Sequence, residues 1–141
     1  MYSLILTTHI VTAIGLLLIV VYADHMGWGW MRGKHEVLPA RRLEFLHRLI
    51  YVGLAIMIAT GFYMFWPLRD FLLTMPTFLV KMGLVATLII NSAFIGRFMR
   101  VATERPYATL RSSERVPLFI SGTISVVAWI GTIIAATQLG I

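Results

Sequence analysis

The sequence contains no cysteine, which excludes disulfides, thiolate metal sites and iron–sulfur clusters. Charge is also scarce: charged residues make up 13% of the chain, about half the share of a soluble domain. Only six of those residues are acidic. A phosphate-binding glycine loop, a Ser/His/Asp constellation and a paired-carboxylate motif are all missing, which removes the common signatures of soluble enzymes. The strict alternation of an outer-membrane strand is missing too.

Apolar residues, in contrast, are abundant: 59% of the 141 residues are hydrophobic, and the mean hydropathy is +0.85. They fall into four runs, Leu4 to Ala23, Leu43 to Trp66, Met75 to Ile95 and Pro117 to Gln138. Each holds about 20 residues, the length a helix needs to cross the hydrocarbon core. Pro76 and Pro117 stand where a first helical turn accepts proline. The first run ends in Asp24 and His25 and has no basic leader, so it reads as a span and not as a cleavable signal. The predicted fold is all-α: a single domain over residues 1–141, an integral membrane four-helix up-and-down bundle.

Ten of the twelve basic residues occupy two connections. Arg32, Lys34, Arg41, Arg42 and Arg48 belong to the first; Arg97, Arg100, Arg105, Arg111 and Arg115 belong to the third. The short second connection carries Arg69 alone. The positive-inside rule then predicts cytoplasmic first and third connections and both termini outside, in a bacterial inner membrane. The basic residues serve as topology signals with affinity for anionic lipid. No aromatic-basic motif accompanies them, so nucleic acid is not an expected partner.

Two residues conflict with the apolar runs. His9 lies about two turns inside the first, and Lys81 about two turns inside the third. Intramembrane ionisable groups are costly and mark function by default. The predicted topology sets both at one depth, with Tyr63, Met64, Met75 and Met82 nearby. The competing structural reading has His9 bonded to a neighbouring helix and Lys81 reaching the interface. A second cluster gathers at the other end: Asp24, His25, Glu44, His47, Arg48, Asn91, Ser92, Glu114 and Arg115. Its plain reading is a solvated ion-pair rim, with His25 and His35 as ordinary loop or interface histidines and His47, one turn inside the span, more ambiguous. Gly53, Gly61, Gly122 and Gly131 are expected at close helix approaches. Ser121, Thr123 and Ser125 are expected to bond between helices. Two successive hairpins, with His9 matching Lys81 in position, suggest a parallel repeat.

Four short motifs carry a family resemblance: "LTTHIV" with His9, "FLVKMG" with Lys81, "FIGRFMR" with Gly96 and Arg97, and "LRSSERVPLF" with Arg111, Glu114 and Pro117. Across nearly its whole length the chain resembles the HemJ-type protoporphyrinogen oxidases and the small four-helix membrane proteins that include the CopD domain. It departs from the HemJ pattern at Leu79, where that pattern has histidine, and at Asn91 and Ser92, where it has a tyrosine-histidine pair. The resemblance implies a haem b-binding membrane redox protein, a relative of the oxidase. His9 would be its axial ligand, and Lys81 a second ligand or propionate partner. Tyr63, Met64, Met82 and His47 would line cofactor sites. A porphyrin, a redox partner and a second copy of the chain are the partners this reading admits beside lipid. Two alternatives stand beside it: a CopD-type copper protein using His9 with Met64, Met75 and Met82, and an accessory subunit of a larger membrane complex.

Overall fold

The computed structural model describes residues 1–138, with the backbone alone at positions 98 and 99. Four helices account for most of it: α1 (Tyr2–Met31), α2 (Ala40–Leu72), α3 (Pro76–Met99) and α4 (Ser112–Gln138). Each is long and apolar enough to cross a membrane. Most of their apolar side chains face outward, including Leu18, Val52, Ile90 and Val127. That arrangement suits lipid as solvent, because a helix satisfies its own backbone groups wherever water is absent.

The helices overrun the apolar runs, since hydrogen bonding continues after the hydrophobic residues stop. α1 ends where Gly33 takes φ 79°. There Gly33 N donates to Trp30 O at 3.1 Å and Lys34 N to Gly29 O at 2.9 Å, the paired bonds of a Schellman stop. α2 starts directly after Pro39, and α3 starts with Pro76 as expected. Pro117 differs from expectation. It lies inside α4 and not in its first turn, because the helix already begins at Ser112. Glu114 reaches back to the Arg111 amide at 3.3 Å, the returning half of a capping box.

Successive helices run antiparallel, and the packing is uneven. α1 lies closely on α2, and α3 on α4. Each of these hairpins closes with a leucine on a glycine. A Cβ on Gly53 would lie 2.4 Å from Leu16 Cδ2, and one on Gly131 would lie 2.8 Å from Leu84 Cδ1. Gly61 likewise receives His9. Gly122 does not follow the expectation, as nothing lies within 4 Å of its Cβ position. α2 also touches α3. Phe65 stacks on Phe78 with centroids 5.6 Å apart, and Tyr51 O–H donates to Ser92 O at 3.4 Å.

The main core lies at the end that holds the two basic connections. Trp30 is 1% exposed and packs among Met26, Leu38, Leu43, Leu46, Ala102, Leu110 and Leu118. Its indole N–H donates to Arg105 O at 3.0 Å, and its ring meets Tyr107 edge-on at 5.2 Å. Leu38 N donates to Ala102 O at 2.7 Å. A residue from the foot of α1 thus joins both connections and holds the two hairpins together. Between the hairpins, just beyond this core, a cleft remains.

Candidate functional site

The cleft measures about 450 Å³ and all four helices line it, a volume within the usual range for small-molecule sites. Its wall is mostly apolar, with Leu54 from α2, Leu88 from α3 and Phe119 and Val126 from α4. Asp24, His47, Asn91 and Ser92 reach the same space. Four members of the second sequence cluster therefore converge on a cavity, while a fifth, Glu114, pairs with Arg105 as an ion-pair rim would have it. Among the described residues the ion pairs are Arg69–Asp70 and Arg105–Glu114. Glu44 and Arg48 are exposed, and Asp24 has no hydrogen-bond or ion-pair partner among the described residues.

Two of these polar groups are already committed. Asn91 donates from its amide to Ser121 O at 3.0 Å and accepts from the Ser121 hydroxyl at 2.8 Å, both buried. This pair ties α3 to α4, the interhelical role expected of Ser121. Thr123 bonds within its own helix instead, to Phe119 O at 2.9 Å. Ser92 donates to Ile89 O at 2.7 Å. What is left to meet a ligand is the Asp24 carboxyl and one edge of His47.

The His47 ring is oriented by its own helix. Its Nδ1 lies 2.8 Å from Leu43 O, a carbonyl that only accepts, so Nδ1 carries the proton. In the neutral ring Nε2 then bears the lone pair. The same ring edge approaches α3 where the chain has glycine: a Cβ on Gly96 would lie 3.9 Å from Nε2. A neutral imidazole held through Nδ1–H with Nε2 presented is the form that ligates metal.

His9 is set in a comparable way at the far end of the hairpin. Its Nδ1 lies 2.7 Å from the Thr60 hydroxyl, which itself reaches Ile56 O at 2.7 Å. With the hydroxyl proton on that carbonyl, the oxygen accepts from His9 and Nε2 again carries the lone pair. Gly61 makes room for the ring, its Cβ position lying 3.4 Å from His9 Cε1. Thr60 and His47 are thirteen residues apart on α2, so the two imidazoles stand about 20 Å apart along the bundle.

Lys81 is half-buried on α3. It makes no hydrogen bond or ion pair among the described residues. Met64 is buried on the Thr60 face of α2, one turn beyond it. Tyr63 and Met82 point away: they are 50% and 47% exposed. Met75 stands just before α3 and is partly buried. No group of three or more His, Asp or Glu side chains that could hold a metal occurs among the described residues.

Sequence reasoning missed Thr60. A hydroxyl mid-span beside Gly61 was the available signal, since such a pair lets a neighbouring helix approach and bond. Of His25 and His35, read as loop or interface histidines, the first lies within α1 and the second in the connection, and both line a smaller pocket of about 270 Å³. No family model, curated protein or solved structure matches the chain.

Proposed function

We propose that this chain is a membrane-embedded haem b-binding redox protein on a HemJ- and CopD-like scaffold, with both termini at the outer face of a bacterial inner membrane. The observation that carries this reading is His47, a lining residue of the 450 Å³ cleft whose Nδ1–H is tied to Leu43 O and whose Nε2 has no hydrogen-bond partner among the described residues. The donor set suits the group: one imidazole oriented through Nδ1, apolar walls, and open space at Gly122 on α4 where a bulkier residue would intrude. Haem b held there would supply one-electron exchange at its iron. This chain's own residues contribute the oriented imidazole, the dry wall and, in Asp24, a carboxyl able to take or release a proton at the cleft.

His9, the axial ligand implied by the resemblance, is the competing position, with Lys81 as its propionate partner. His9 is also pre-set, through Thr60, but His47 has the cleft beside it. Asn91, where the HemJ pattern has another residue, bonds Ser121 through both its amide N–H and its carbonyl and so ties α3 to α4.

The test is purification of the intact chain in detergent, followed by absorption spectra and haem counting. A Soret band lost in His47→Ala and kept in His9→Ala supports the assignment. Loss in His9→Ala alone moves the ligand to the other end of the hairpin. A colourless sample carrying copper transfers the protein to the CopD-type reading. A colourless, metal-free sample that co-purifies with partners makes it an accessory subunit.

A further inference from the structure

The smaller pocket lies between the foot of α1 and the connection that folds back over it. Tyr22 and Trp28 enter it from α1, Arg32, Lys34 and His35 from the connection, and Arg42 from the start of α2. The local fold builds it. The stop at Gly33 reverses the chain, so His35 packs on Gly29, whose Cβ position lies 3.2 Å from His35 Cδ2. That reversal brings Lys34 and Arg32 to the same rim.

Three cations thus surround about 270 Å³ with no carboxylate in the lining. The nearest acidic residues in sequence are Asp24, Glu36 and Glu44. Asp24 lines the other cleft, and Glu36 and Glu44 are exposed and absent from this pocket. Arg42 donates to the Tyr22 hydroxyl at 3.3 Å. Arg32 and Lys34 have no side-chain hydrogen bond or ion pair among the described residues. Like charges drawn together without a counter-charge repel one another, and an oxyanion in their midst removes that cost.

An apolar track leads from the pocket into the span. Leu18, Val21 and Tyr22 on α1 are exposed at 65%, 57% and 44%, and Trp28 at the mouth is an interfacial aromatic of the usual kind. A ligand with a phosphate at one end and a hydrocarbon chain at the other matches both features. A free phosphate matches only the first.

We infer that this pocket binds the phosphate group of an anionic phospholipid, with an acyl chain lying along α1. The site is independent of the haem reading, since none of its lining residues is a proposed ligand.

The experiment compares the full chain in nanodiscs of phosphatidylcholine with and without phosphatidylglycerol, reading lipid retained after exchange into detergent by native mass spectrometry. The wild-type chain retains phosphatidylglycerol in preference to phosphatidylcholine. Arg32→Gln with Lys34→Gln weakens that retention about 30-fold, at roughly fivefold for each interfacial cation. Arg97→Gln with Arg100→Gln, which removes two cations outside the pocket, leaves it within about twofold. Helical circular dichroism of both variants confirms the fold. Equal loss in the two double variants means diffuse surface charge and overturns the site. Equal retention of the two lipids overturns it as well. Stabilisation by inorganic phosphate matching that by phosphatidylglycerol overturns the lipid as the source of the phosphate.

Discussion

The Nδ1 of His9 lies 2.7 Å from the Thr60 hydroxyl, across the seam between α1 and α2. One hydrogen bond therefore settles the orientation of an imidazole well inside an apolar helix. Thr60→Val keeps the shape of the side chain and removes the acceptor. Destabilisation of about 1 kcal/mol is expected, the typical range for a polar contact between membrane helices. Denaturation in mixed micelles measures it. The double variant with His9→Phe should recover part of the loss, because no orphaned ring N–H is left behind.

Gly53 and Gly122 look alike in sequence and should respond oppositely. A Cβ at Gly53 would lie 2.4 Å from Leu16 Cδ2 and 2.8 Å from Leu16 Cγ, and Leu16 is 2% exposed. Gly53→Ala should cost about 1–3 kcal/mol through overpacking, and Leu16→Ala in the same chain should relieve the clash. Gly122→Ala meets no atom within 4 Å and should leave stability unchanged or raised by up to about 1 kcal/mol from helix propensity. Thermal unfolding of the three variants checks the contrast.

Trp30 joins both connections at once. Trp30→Phe should lose the bond to Arg105 O, at about 1 kcal/mol. Trp30→Ala should cost about 3–5 kcal/mol through the cavity it leaves. Because the cluster around Trp30 holds the hairpins together, limited proteolysis of the third connection should accelerate in the alanine variant well before helix content falls.

The absence of cysteine makes topology directly measurable. With both termini outside, Glu36→Cys should react with an impermeant maleimide only after inverted vesicles are prepared. Asp70→Cys, beside the short second connection, should react in intact cells. The opposite pattern would reverse the proposed orientation.

Sequence alone determined that the chain forms four helices, roughly where they lie, and that α3 opens at Pro76. Those features depend on contiguous residues: apolar length adds up along the chain, and proline acts on its own turn. Sequence also brought Asp24, His47, Asn91 and Ser92 together at one end, because hairpin topology ranks residues by depth. Rotation about each helix axis was not legible. In a membrane the lipid-facing side is as apolar as the seam, so the stripe that marks the buried face of a soluble helix is missing. Only tertiary structure could assign His9 to Thr60, turn Tyr63 and Met82 outward, leave Gly122 open, and set Asp24 and His47 on a cleft while Glu114 pairs with Arg105. All of these outcomes but the Glu114 pair depend on which faces two helices present to one another, a relation between residues far apart in the chain.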